Sequence, residues 1–124
     1  MVVYFDFIMY TSGRSVIGDG FNFRKMQKYL KEKYRLTKPL EMNNTQRYFL
    51  KLIEEVGELS EVIRKNKRME DNFIKGTIEE ELSDVLYYVL VIANTYDIDL
   101  EECFGMKEDL NRERYGHKLK IDDV

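Results

Sequence analysis

Tryptophan is missing from this 124-residue chain, and cysteine, histidine and proline occur once each. The lone cysteine, Cys103, excludes an intramolecular disulfide and fits a reducing compartment, so the chain reads as cytoplasmic. Cys103 itself reads as a small core residue. With one Cys and one His (His117, in a solvated tail), there is no ligand set for zinc. No apolar run approaches the ~20 residues of a membrane span. The opening MVVYFDFIMY is apolar but short, carries Asp6 and lacks a basic start, so it does not read as a signal peptide. The net charge of −3 carries no overall basic excess, which argues against a nucleic-acid partner.

What is present is enough for one domain. The chain is 44% hydrophobic and 35% charged, which gives a core and heavily solvated faces. Residues 1–20 form an extension: VVYFDFIMY is strand-like or extended, and the turn-rich TSGRSVIGDG follows it. Residues 21–34 read as a helix with Phe23, Met26, Leu30 and Tyr34 on one face. The stretch from Arg24 to Lys38 holds seven basic residues and one acid. It reads either as an attractor of phosphates or as a solvated helix face. Pro39 marks a break. Asn43, Asn44 or Thr45 caps a helix over 45–66 with a wide apolar stripe of Phe49, Leu52, Ile53, Val56, Leu59, Val62 and Ile63. NKRMEDNFIKG is a polar loop. Thr77, with Glu80 as capping-box partner, starts a helix over 78–96 that is apolar on most sides. Asp99 caps a last helix ending near Tyr115, and 117–124 is a short polar tail.

Four helices on short links predict an all-α four-helix bundle over 21–116. So small a bundle cannot cover the 78–96 helix completely. A second copy is expected to do so, as a homodimer or homotetramer.

Acidic residues break the pattern. Glu55 and Glu58 lie three apart on one helix, and Glu81 and Asp84 three apart on another. Each pair sits beside apolar stripe positions instead of opposite them. If the helices pack antiparallel, four carboxylates converge. Either they take up protons or a hard divalent cation holds them, and Mg²⁺ suits oxygen ligands together with a substrate phosphate. Gly57 lies between the first pair, where helix-interior glycine costs ~1 kcal/mol. It admits a ligand or a packed backbone.

EEVGELSE (54–61) followed by ELSD (81–84) resembles the EExxE…ExxD signature of the MazG-like all-α nucleoside triphosphate pyrophosphohydrolases. DLEECFGMKEDLNRERY (99–115) is similar to that family's next segment, where a Lys, an Asn and a terminal Arg-Tyr recur. The resemblance covers about residues 45–116. It implies hydrolysis between the α and β phosphates, giving a nucleoside monophosphate and pyrophosphate, in nucleotide-pool housekeeping. It implies Mg²⁺, with Mn²⁺ as a substitute, held by Glu55, Glu58, Glu81 and Asp84, which are also the catalytic set. Glu54 becomes an outer carboxylate or a salt-bridge partner. Lys107 and Asn111 match positions that contact the triphosphate, Arg114 and Tyr115 lie in the same matching segment, and Tyr88 resembles a substrate-contacting tyrosine. The general base stays open among Glu55, Glu58 and Glu61. Some relatives grip a pyrimidine with tryptophans that this chain lacks. Phe21, Phe23, Tyr48 and Phe49 are either stacking replacements or core. Two rival readings remain: a phosphoribosyl-ATP pyrophosphohydrolase, and a non-catalytic helical interaction module.

Overall fold

Short polar side chains decide where the helices begin. The computed structural model describes residues 20–124, and the expectations for residues 1–19 lie outside the described range. Helix α1 is Phe23–Thr37, where Asn22 Oδ1 accepts the Lys25 N–H. Helix α2 is Thr45–Arg64, capped by Asn44 through the Arg47 N–H. Helix α3 is Ile78–Thr95, capped by Thr77 through the Glu80 N–H. Helix α4 is Leu100–Tyr115, capped by Asp99 and closed by Gly116 at a left-handed φ of 76°. The fold is all-α, and no β-strand occurs among the described residues. The expected capping box takes a variant form, because the Glu80 carboxylate reaches back to the Gly76 N–H at 2.8 Å. Helix α1 begins and ends later than its apolar spacing predicts, and a 3₁₀ turn, Pro39–Glu41, fills the connection to α2. A second 3₁₀ turn, Ile121–Asp123, lies in the polar tail. The polar loop after α2 is tied to the start of α3. Glu79 accepts from the Met69 N–H and from Arg68 Nε, both at 3.0 Å.

Helix α3 packs along both α1 and α2 and is the centre of the bundle. The core joins Leu30 and Tyr34 of α1, Tyr48 of α2, and Leu90 and Val91 of α3. Leu90 is wholly buried. The rings of Tyr34, Tyr48, Tyr87 and Tyr88 pack edge-on or tilted at centroid distances of 5.1–6.3 Å, a geometry aromatic quadrupoles favour.

The basic stretch on α1 resolves as a solvated and partly paired face. Arg24 bridges Asp99 and Glu101, Lys31 meets Asp97, and Arg35 meets Glu32. Lys33 donates to the Tyr87 hydroxyl at 3.2 Å. Beneath these pairs, Gln27 is buried and ties α1 to the α3–α4 link. Its Nε2 donates to Asn94 Oδ1 and the Ile98 carbonyl, its Oε1 accepts from the Leu100 N–H, and its carbonyl accepts from Asn94.

Several sequence readings are corrected by packing. Cys103 is exposed, because α4 lies on the rim of the bundle and has no buried residue. Of the four aromatic candidates, Tyr48 belongs to the core, whereas Phe21, Phe23 and Phe49 are exposed on the single chain. So are Ile53, Val56 and Ile63 of the α2 stripe.

Replacing Gln27 with Ala strands the Leu100 N–H and frees Asn94 inside the bundle. A loss of about 2 kcal/mol in urea unfolding is expected. Because Gln27 faces the α3–α4 link, the variant should keep any metal-dependent rise in Tm.

Candidate metal centre

Helices α2 and α3 run antiparallel in a register that four contacts fix. Thr45 Oγ1 donates to Thr95 Oγ1 at 2.8 Å at one end. Lys51 then faces Tyr88, Glu55 faces Asp84, and Glu58 faces Glu81. From Lys51 to Glu58 and from Tyr88 to Glu81 the steps are four and then three residues, about one helical turn each, so over this stretch one face of each helix meets one face of the other. This register brings together what the sequence separates by more than twenty residues.

Glu55, Glu81 and Asp84 each place one carboxylate oxygen within 4.8 Å of the others. Glu55 and Glu81 are buried and Asp84 is half-buried. Glu58 stands exposed at the edge, and its charge acts on all three. Burial pushes the Glu55 carboxyl up to about 8, and the neighbouring acids push in the same direction. Burial also raises Glu81, where the Glu58, Asp84 and Glu80 charges add to it. Asp84 is raised by burial and then by Glu80 and Glu58. Oε2 of Glu55 and Oε2 of Glu81 are buried with no hydrogen-bond partner among the described residues. Two acceptors without a donor need either a shared proton or a cation. The donor set is oxygen only, part buried and part open to solvent at Glu58 and Asp84. That combination fits a hard divalent ion that keeps room for further ligands.

The other predicted residues fall in two groups. Tyr88 is half-buried beside the cluster, within the fields of Lys51, Glu55 and Asp84. Glu54 points away and pairs with Lys51 at 3.3 Å, which settles it as a salt-bridge partner. Glu61 is likewise held by Arg64 and Lys65. Lys107, Asn111, Arg114 and Tyr115 lie on α4, which packs against α1. Lys107 is exposed, Asn111 bonds Glu108, and Arg114 stacks on Tyr115. No hydrogen bond or ion pair joins these four to the carboxylates within the chain. A methyl group on Gly57 would meet nothing within 4 Å among the described residues, so no described backbone or side chain uses the space it leaves. Lys51, which sequence reading did not single out, acts electrostatically on Tyr88 at this face. Its signal was available: it sits one turn before Glu55, as Tyr88 sits one turn after Asp84.

An antiparallel helix pair carrying ExxE against ExxD inside an all-α bundle is a defined class of site. The MazG nucleotide pyrophosphohydrolase domain matches residues 43–116, and the chain belongs to that family. A crystal structure of iMazG from Vibrio DAT 722, the Ntag form, superposes with a TM-score of 0.63 at 41% identity, covering 78% of this chain and all of that one. The Ctag form gives 0.61 at 42% identity, over 74% of this chain and 99% of the other. Among curated proteins, dCTP pyrophosphatase 1 of Mus musculus is 36% identical over 72 residues, 53% of this chain and 42% of that protein. The Homo sapiens protein matches over the same extent at 36%. The chain thus spans less than half the length of these curated relatives. Among the described residues, no helix is long and apolar enough to cross a membrane.

A carboxyl that holds its proton longer when folded than when unfolded makes folding proton-consuming. Its stabilising share is present at low pH and is lost as pH rises from about 4.5 toward about 8 for Glu55. Glu81 and Asp84 have the same sign. In EDTA, Tm should therefore fall between pH 5 and pH 8, and Glu55→Gln should flatten that slope in a calorimetric series.

Proposed function

We propose that this chain is a divalent-metal-dependent pyrophosphohydrolase of nucleoside or deoxynucleoside triphosphates, cleaving between the α and β phosphates. The observation that carries the reading is the buried, partnerless pair Glu55 and Glu81 beside Asp84, in a chain of the MazG family. The curated relatives' name makes dCTP the first substrate to test.

Glu55, Glu58, Glu81 and Asp84 would hold the ion, with Mg²⁺ favoured by the all-oxygen set and Mn²⁺ as a substitute. Such an ion, when bound, neutralises phosphate charge and favours ionisation of water. The chain's own residues do the rest. Glu58, exposed at the edge, is placed to accept a proton from the attacking water. Tyr88 borders the cluster and offers a ring and a hydroxyl to the nucleotide. Pool housekeeping is the role this chemistry serves.

We assign the work of Lys107, Asn111, Arg114 and Tyr115 to an assembled form. The exposed Phe49, Ile53, Val56 and Ile63 give α2 an apolar surface suited to a second copy. In a homodimer or homotetramer these α4 residues can approach a cluster that they do not reach in one chain.

With Mg²⁺ and a panel of deoxynucleoside and ribonucleoside triphosphates, pyrophosphate should be released in place of orthophosphate. EDTA should abolish it, and Glu58→Gln or Asp84→Asn should lower kcat at least a hundredfold. Orthophosphate as the sole product would overturn the bond assignment. Sedimentation equilibrium should report a dimer or larger, and Phe49→Lys with Ile53→Lys should shift it toward monomer.

A further inference from the structure

We propose that the cleft between α1 and the α3–α4 link is a second ligand site, which binds a small phosphate anion, inorganic phosphate or pyrophosphate, on the ammonium of Lys28. Neither the cleft nor its ligand depends on the reaction proposed above. Arg24, Lys28 and Lys31 of α1 line one wall, and Asn94, Asp97 and Asp99 line the other. The three basic residues are spaced four and then three apart, so they share one face of α1. The cleft has a volume of about 260 Å³. Sites for drug-sized ligands run from about 300 to 1,000 Å³, so this one suits an ion of phosphate or pyrophosphate size. It is also remote from the carboxylate cluster. Asn94 lies ten residues beyond Asp84 on α3, roughly 15 Å along the helix axis.

What each side chain already does decides the ligand's charge. Arg24 reaches Asp99 at 2.8 Å and Glu101 at 3.0 Å, and Lys31 reaches Asp97 at 3.1 Å. These acids hold two of the cations in place and leave N–H groups on both unused. Lys28 lies between them and has no hydrogen bond or ion pair among the described residues. The cleft is thus lined by three positive charges against two negative ones, and the surplus is at Lys28. Gln27, buried beneath, is neutral and has its amide spent on Asn94, the Ile98 carbonyl and the Leu100 N–H. Asn94 gives one amide hydrogen to the Gln27 carbonyl and keeps the other. A cation would meet Lys28 as a like charge, and a neutral ligand would leave it unpaired. A tetrahedral polyanion has oxygens enough for Lys28 and for the spare donors of Arg24 and Lys31 at once. It also bridges α1 to the α3–α4 link, so it stabilises the folded chain as its concentration rises.

The test uses the full chain freed of metal on a chelating resin, so that the bare carboxylate cluster repels anions and the cleft does not. Inorganic phosphate and pyrophosphate are titrated by calorimetry at fixed ionic strength, beside Tm. Wild type should bind, pyrophosphate the more tightly, and Tm should rise with either ion. Lys28→Ala should weaken binding about tenfold, the scale of one charged hydrogen bond. Lys28→Glu should abolish it, and Lys28→Arg keeps the charge and should retain most of it. Because Lys28 has no partner among the described residues, these variants should keep the wild-type urea midpoint. Lys28→Gln serves in place of the glutamate form if that one unfolds early. Binding of one ion without the other supports the site and names its ligand. A wild type that binds neither overturns the proposal. So does binding that is equal in wild type and Lys28→Glu, which would mark general attraction to the surface.

Discussion

Two carboxyl groups buried against each other, each with one oxygen that finds no hydrogen-bond partner among the described residues, are the constraint around which this structure is organised. Glu55 and Glu81 carry partnerless buried oxygens at the meeting face of α2 and α3. An unpaired buried carboxylate is costly, and breaking its surroundings is costlier still than an apolar replacement. The arrangement persists because the rest of the helix pair is well determined. Thr45 and Thr95 lock one end, the Tyr34, Tyr48, Tyr87 and Tyr88 rings fill the middle, and Thr77 and Glu79 anchor the other. A slip of one turn along α2 would separate Glu55 from Asp84 and bury Lys51 among acids' former neighbours. Register and site are thus one property. A bundle built for stability alone would set leucines at these positions.

The same helix pair leaves its outer surface unfinished. The central helix is covered by α1 on one side and α2 on the other, while α2 turns Phe49, Ile53 and Val56 outward. Gly57 sits in this exposed apolar region with open space over its Cα. Glycine in mid-helix weakens α2 without any gain inside the chain. Both features are of the kind that a second copy or a bound ligand would use. The location of α4 agrees with this, because it carries the Lys, Asn and Arg-Tyr positions of the family's segment on a helix that its own carboxylates do not touch.

Much of this was legible in the residues themselves. Thr77 and Asp99 cap where short oxygen-bearing side chains precede apolar periodicity, and the helices follow them. The acid pairs were legible because charge beside an apolar stripe violates a pattern that is otherwise kept. Other features were not legible, for physical reasons that differ. Cys103 looks like core, since cysteine is apolar and α4 is periodic. Its exposure depends on which face of α4 meets α1, and helix periodicity does not say so. The seven basic residues from Arg24 to Lys38 look like a binding surface. Their partners Asp97, Asp99 and Glu101 lie more than sixty residues away and become visible only in three dimensions. Lys51 escaped notice because a lysine three residues before a glutamate is ordinary. It gains meaning only from what lies across the helix interface.

Burial raises all three acids of the cluster, the neighbouring carboxylates raise them further, and helix position adds a smaller inequality. Glu81 lies in the first turn of α3, and Asp84 follows one turn later. The first-turn N–H groups are already bonded, Ile78 to the Lys67 carbonyl and Glu80 and Glu81 to Thr77, but the positive end of the helix dipole there still favours a carboxylate. Glu55 lies mid-way along α2, where backbone N–H groups are already bonded and the dipole offers no net charge. Of the two buried acids, Glu55 is thus the one that gains most from a proton. Its carboxyl is the one pushed to about 8, and its hydrogen bond to Glu81 favours the charged form of that partner. A cation entering the site must then displace the Glu55 proton, so occupancy and proton release are coupled. Burial of Glu55 among the neighbouring acids thus ties any ion uptake at this cluster to loss of its proton.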